Sequence, residues 1–147
     1  PVLRKDFIVT EYQVLESRVL GADLILLIVA ALTDSQLKDF YQLSTELGMD
    51  VLVEVHDLDE AEKALNIGSK IIGVNSRNLK TLEVSEKTFE LILPQLPESV
   101  LKVAESGIST GEQVAKVQAL GAKAVLIGES LVKSGNPVHT INQLLNR

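Results

Sequence analysis

The chain has 147 residues, enough for one domain with a real core and too few for two large ones. Hydrophobic content of 46% argues against disorder, and with only 3% aromatics the packing falls to Leu, Ile, Val and Ala, a bias that suits a parallel sheet covered by helices. Fourteen basic against twenty acidic residues, a net charge of -6, speak against a nucleic-acid partner, and the lack of cysteine excludes a disulfide scaffold or a cysteine-based zinc site.

The opening, PVLRKDFIVTEY, has basic residues but no long apolar region or cleavage signal behind them. No stretch reaches the roughly 18 apolar residues that span a bilayer, so the expectation is a cytoplasmic protein with no membrane partner. Pro1 to Phe7 reads as a strand reaching its end, and a domain that opens inside a strand is expected to be part of a longer one. Thr10 and Gln13 have capping-box spacing, and Val14, Leu15 and Val19 form the predicted stripe of a helix ending near Gly21. Ala22 to Ala31 is too continuously apolar for a half-exposed strand and is expected to be buried on both faces. Thr33 and Gln36 repeat the cap ahead of Leu37, Phe40, Tyr41 and Leu43.

Asp50 to Val55, DVLVEV, is the next strand and holds an acid, Glu54, inside its apolar run. Asp57 and Glu60 have cap-like spacing before Ala61, Ala64 and Leu65, and Lys70 to Val74 is a further strand closing at Asn75, Ser76, Arg77 and Asn78. A weaker helix is predicted over Ser85 to Leu93, ended by Pro94 and Pro97. Val100 to Ala104 and Ala122 to Ile127 are the last two strands, stopping at Glu105-Ser106-Gly107 and Gly128-Glu129-Ser130, with a helix capped by Thr110 and Gln113 between them. Leu131 to Arg147 ends the chain, with Pro137 opening a helix. The result is a repeated strand-then-helix pattern. Periodicity alone leaves two architectures open, a doubly wound open sheet and a segment of a closed eight-unit barrel.

Lys5, Glu54, Asn75, Arg77, Glu105 and Ser106 all fall at or near the carboxyl ends of predicted strands, where chemistry is usually placed in such units. A charge within a strand costs several kcal/mol if left unpaired, so Glu54 and Glu105 call for a donor, a proton or water. Lys5 can donate to a substrate oxygen while a partly desolvated glutamate accepts a proton. Glycine in consecutive strand-to-helix turns, Gly107 and Gly128, lets main-chain amides approach an anion such as phosphate. His56 and His139 lack metal-site spacing, so no metal is expected and His56 reads as a strand-end hydrogen-bonding group. No dinucleotide or nucleotide-triphosphate glycine motif and no hydrolase elbow is present.

The strings VLRKDFIV, VLVEVH, IIGVNSRNLKTLEV, VAESGI and VLIGESL together resemble indole-3-glycerol phosphate synthase, the barrel enzyme of tryptophan biosynthesis. The resemblance covers nearly the whole chain. It implies a TIM (β/α)8 barrel present as a partial barrel of about six β/α units, the third to the eighth, with residues 1–147 forming the carboxyl-terminal portion of a single catalytic domain. It also implies ring closure, decarboxylation and dehydration of 1-(2-carboxyphenylamino)-1-deoxyribulose 5-phosphate to indole-3-glycerol phosphate, a carboxy-lyase reaction needing no cofactor.

By the same resemblance Lys5 matches a general acid, Glu54 a general base and Asn75 a residue that positions the reacting groups. Phe7, Arg77, Glu105 and Ser106 match the substrate pocket, and Gly107, Gly128 and the amide of Glu129 match the phosphate loops. The expected partners are a small phosphorylated substrate and an amino-terminal barrel segment supplied in cis or in trans. Two alternatives stand beside this expectation. One is another phosphate-binding barrel such as phosphoribosylanthranilate isomerase, which would carry different acids and bases; the other is an inactive phosphosugar-binding fragment.

Overall fold

A computed structural model describes residues 1–145. Its strands are β1 (Leu3–Arg4), β2 (Leu24–Ile28), β3 (Asp50–Val55), β4 (Ile71–Asn75), β5 (Leu101–Glu105) and β6 (Ala124–Leu126). Its helices are α1 (Glu11–Val19), α2 (Asp34–Glu46), α3 (Leu58–Asn66), α4 (Lys87–Ile92), α5 (Gly111–Ala119), α6 (Glu129–Lys133) and α7 (Pro137–Leu144). Short 3-10 turns follow β2 at Val29–Ala31 and α4 at Leu93–Gln95. Asn146 and Arg147, the end of the closing segment predicted from sequence, lie outside the described residues.

Strand order settles the architecture that periodicity left open. The six strands lie in one sheet in the order β1-β2-β3-β4-β5-β6, and β1–β2, β2–β3 and β5–β6 pair in parallel. A doubly wound sheet reverses its order at a switch point, whereas a β/α barrel adds each strand beside the previous one. The chain is a partial barrel of six β/α units. It divides into two compact units, Pro1–Gly73 and a second beginning at Val74.

In the first unit β2 and β3 are the floor of the core. Ile25, Leu26, Leu27, Val51, Leu52, Val53 and Val55 are all buried. Both faces of these strands are covered, which is why no polar alternation shows in their sequence. Register sets Ile28 beside Glu54, so the acid sits one residue before the end of β3. The opening strand is shorter than the predicted Pro1–Phe7. Only Leu3 and Arg4 pair, and beyond them Asp6 Oδ1 accepts from the Phe7 amide at 2.8 Å and turns the chain.

The buried face of α1 also differs from the predicted stripe. Val14 and Ser17 are buried, while Leu15 is 42% and Val19 86% exposed. Ser17 is tolerated inside because its hydroxyl donates to Gln13 O at 2.6 Å and accepts from the Arg4 guanidinium at 3.2 Å. Arg4 is in turn held by Glu16 at 2.8 Å.

In the second unit the segment from Ser76 to Val84, for which the sequence predicts no element, is an ordered excursion, and the helix predicted over Ser85 to Leu93 begins only at Lys87. Arg77 and Val84 bridge in antiparallel fashion, Ser85 N donates to Ser76 O at 2.9 Å, and Asn78 Oδ1 accepts from Lys80 and Thr81 amides at 2.8 and 3.1 Å. Helix α6, also missed, is too short at five residues to leave a periodic pattern. Among the described residues no helix is long and apolar enough to cross a membrane.

Three helices start with the full capping box read from sequence, Thr10/Gln13, Thr33/Gln36 and Thr110/Gln113. Each threonine supplies an acceptor to an otherwise unpaired amide, and each glutamine returns the bond. Replacing Thr33, the cap of the longest helix, by alanine is expected to lower stability by about 1 kcal/mol, read as a lower denaturant midpoint at unchanged slope.

Candidate active site

The first unit brings Lys5 and Glu54 together. Lys5 lies just past β1 and its Nζ is 3.9 Å from Glu54 Oε2. The two differ sharply in environment: the Glu54 side chain is 1% exposed and that of Lys5 51%. At that separation the ammonium neutralises the carboxylate without being locked to it, and its exposed side can meet a ligand.

The other oxygen of Glu54 faces His56, with Oε1 3.3 Å from Nε2. On the far side of the ring Glu60 Oε2 lies 3.1 Å from Nδ1 and also accepts from the His56 amide at 2.8 Å. The contact of Nδ1 with Glu60 is a hydrogen bond and that of Nε2 with Glu54 a close charge contact, and only the imidazolium presents an N–H toward both carboxylates. Burial pushes the ring down, but hydrogen bonds and charge from Glu54 and Glu60 outweigh it and carry the pKa from 6.5 up to about 9. Phe7 does not join this group. It is 57% exposed, and its carbonyl accepts from Gln13 Nε2 at 3.0 Å.

The second unit holds the remaining predicted residues. Asn75 is 6% exposed and its Oδ1 accepts from the Arg77 amide at 3.0 Å. With that oxygen engaged, the amide nitrogen of Asn75 is the end suited to a ligand oxygen. Arg77 donates to Leu82 O at 3.3 Å and to Glu129 Oε2 at 2.9 Å, and Glu129 Oε1 accepts from Lys133 at 2.7 Å. Lys133, and then Arg77, hold the Glu129 carboxyl below the usual range. The Glu129 side chain is thus committed to two cations, and its backbone amide is the part that suits an anion.

Glu105 ends β5 and is buried, and its carbonyl accepts from the Ser76 amide at 3.0 Å. Ser76 Oγ donates to Ser106 O at 3.1 Å. Ser106 and Gly107 both take left-handed backbone, at φ 65° and 67°. Gly107 is required twice over, because a side chain there would also collide with Val84 Cγ1 and press on Ser76 Oγ. Gly128 is different: a methyl group there would meet nothing within 4 Å, so that turn has open space in front of it. Ser130 Oγ donates to Ile108 O at 3.3 Å, tying the turns after β5 and β6 to each other.

The family model of indole-3-glycerol phosphate synthase matches residues 1–144. The chain belongs to that family. The synthase of Nocardioides sp. is 51% identical over 144 residues, which are 98% of this chain and 55% of that protein. The synthase of Micrococcus luteus is 53% identical over 137 residues, 93% of this chain and 51% of that protein. The chain spans about half the length of the curated relatives it matches. A mutant tryptophan synthase alpha-subunit from Pyrococcus furiosus superposes with a TM-score of 0.76 at 19% identity, covering 100% of this chain and 67% of that one, a likeness of fold alone.

Within this synthase-family chain, sequence reading passed over Glu60 and Lys133. Glu60 had been read only as the partner of the Asp57 cap, yet its carboxylate is on His56; the signal available was an acid four residues after a histidine at a strand end. Lys133 is one helical turn beyond Glu129, the spacing of an (i, i+4) ion pair. Among the described residues no group of three or more His, Cys, Asp or Glu is arranged to hold a metal ion.

Two outcomes follow from this geometry. Between pH 6.5 and about 9 folded His56 keeps a proton that the unfolded chain has lost, so its stabilisation is complete below 6.5 and disappears as pH rises through about 9. Denaturation at stepped pH should show a decline of up to about 3 kcal/mol across that window, flattened in His56→Gln. Gly107→Ala should cost about 2 kcal/mol through the forced backbone and the Val84 collision, whereas Gly128→Ala should leave the denaturation midpoint within about 0.5 kcal/mol of the parent.

Proposed function

We propose that this chain carries the acid, the base and the phosphate loops for conversion of 1-(2-carboxyphenylamino)-1-deoxyribulose 5-phosphate to indole-3-glycerol phosphate, as a cytoplasmic carboxy-lyase of tryptophan biosynthesis. The observation that carries the reading is the Lys5–Glu54 pair, in which a half-exposed cation lies 3.9 Å from a buried carboxylate. Family membership and about 51% identity to synthases of this activity support the same substrate.

Ring closure joins a carbon of the aromatic ring to the ribulose carbonyl carbon, and negative charge develops on the carbonyl oxygen. Lys5 donates a proton to that oxygen, turning it into a hydroxyl. Loss of carbon dioxide returns the bonding pair to the ring and restores aromaticity. Lys5, half exposed and reprotonated from solvent, gives a second proton to the hydroxyl, which leaves as water while Glu54 takes the proton whose removal closes the pyrrole double bond. Burial of Glu54 strengthens each of these interactions by excluding water.

The remaining residues bind and orient. The Asn75 amide nitrogen and Ser106 hold polar groups of the substrate, Glu105 limits and charges the pocket, and Phe7 lines the aromatic side. Arg77 faces the substrate carboxylate, exchanging it for Glu129. Main-chain amides at Gly107, Gly128 and Glu129 hold the phosphate, where open space before Gly128 leaves room for it. An amino-terminal barrel segment, in cis or in trans, completes the site.

Indole-3-glycerol phosphate formation is to be measured with this chain alone and with the amino-terminal segment of a relative added. The complemented protein should turn over. Lys5→Ala and Glu54→Gln should each lower kcat at least about 100-fold, while Gly128→Ala raises KM with little change in kcat. Turnover indifferent to both Lys5→Ala and Glu54→Gln removes the assigned roles, and phosphate binding without turnover in the complemented protein favours a phosphosugar-binding function.

A further inference from the structure

We propose that His56 is a positioning residue: its imidazolium, anchored by Glu60, orients the Glu54 carboxylate and keeps it charged so that it can accept a proton. This rests on the reading of Glu54 as the general base.

The arrangement is a chain of alternating charge. Lys5 Nζ is 3.9 Å from Glu54 Oε2, Glu54 Oε1 is 3.3 Å from His56 Nε2, and His56 Nδ1 is 3.1 Å from Glu60 Oε2. In these three contacts two cations face two anions. Of the elements packed on β3, α3 brings Lys63, whose charge reaches Glu60, and α2 brings Asp34 as the partner of Lys63. The segments Leu24–Ile28 and Val29–Ala31 are entirely apolar, and Lys63 of α3 is taken up by Asp34 at 2.8 Å.

Helix capping alone does not account for Glu60. Asp57 is the N-cap of α3 and accepts from the Glu60 amide at 2.8 Å. In α1, α2 and α5 the third helical residue is a neutral glutamine that returns a bond to its threonine cap. In α3 that position is an acid, and one of its oxygens takes both the amide and the ring nitrogen of His56. A glutamine would have been enough for the amide. The carboxylate is needed only for a charged ring.

The two cations on Glu54 then divide the work. Lys5, 51% exposed, can turn toward a substrate oxygen, while His56, 15% exposed and held by Glu60 at its amide and at Nδ1, stays 3.3 Å from Glu54. The buried carboxylate keeps a cation whichever way Lys5 points. A base that must be ionised before every turnover is thereby protected from the protonation that burial favours.

The test uses the complete enzyme, including its amino-terminal segment, and records kcat and KM for indole-3-glycerol phosphate formation from pH 5 to 10. Glu60→Gln keeps an acceptor for the His56 amide and should fold; its acidic limb of kcat should move up by about one pH unit, and that of His56→Gln further, with about a tenfold loss near pH 6, recovery at higher pH and a smaller change in KM. The Glu54 carboxylate, followed by carbon-13 NMR, should titrate at higher pH in both variants. An acidic limb and a Glu54 titration that both stay in place overturn the proposal even if the variants are slower, since a purely structural histidine predicts that result. Should Glu54→Gln remain active, the general-base reading falls by itself. The carbon-13 titration in His56→Gln then still decides whether His56 holds Glu54 charged.

Discussion

A carboxylate held 1% exposed among apolar strands is the constraint around which the first unit is arranged. Placing an ion in such surroundings costs several kcal/mol unless cations and hydrogen bonds compensate. β3 supplies the acid, the residue just past β1 supplies one cation, and the turn from β3 into α3 supplies the other. Two stretches distant in sequence, the end of β1 and the end of β3, are thereby tied together through one side chain. The apolar residues before Glu54 make this possible. Val51, Leu52 and Val53 pair with Ile25, Leu26 and Leu27 and fix the strand on which the acid is carried, so its position is set by packing and not by its ion pairs.

The second unit solves a different problem with different means. The groups proposed to meet a ligand there are backbone amides and exposed ions, and what must be fixed is the path of the chain. Ser76 does this by donating to the carbonyls of Glu105 and Ser106, and Gly107 does it by lacking a side chain where Val84 packs. Glycine had been read there as a means of bringing amides close to an anion. The structure adds a stronger reason, the close approach of the excursion after β4, and leaves Gly128 as the glycine whose missing side chain opens space.

Most of the architecture was legible because each β/α unit repeats the same punctuation. Thr10, Thr33 and Thr110 with their glutamines announce three helices, and the unbroken apolar runs of β2 and β3 announce a sheet covered on both sides. Periodicity is local, however, and barrel and doubly wound order differ only in which strand lies beside which. The excursion from Ser76 to Val84 escaped because its hydrogen bonds are made by single residues such as Asn78 and not by a periodic pattern. The stripe of α1 misled because an apolar residue was preferred at the inner position that Ser17 fills, where hydrogen bonds to Gln13 and Arg4 make a hydroxyl as acceptable as a methyl group. At the site, Lys5 and Glu54 stood out as charges at strand ends, but Glu60 was hidden behind a simpler role as a helix-start residue.

The contrast between the two sets of ions bears on how a site of this kind can be both rigid and receptive. Glu54 and His56 are 1% and 15% exposed, so their attraction is little screened and their geometry is held. Arg77, Glu129 and Lys133 are 33%, 60% and 74% exposed, and pairs in such surroundings contribute little to stability. Weakness is useful in that place. A guanidinium resting on an exposed internal carboxylate keeps its orientation, through Leu82 O as well, yet can give up that partner at small cost to the proposed ligand carboxylate. Glu54, in its proposed role as base, must by contrast not be exchanged, because a base displaced from its cation would take up a proton before it could act. On the proposed roles, burial sorts the charges of this chain by task, with permanence assigned to the proposed proton acceptor and exchangeability to the groups proposed to receive the ligand.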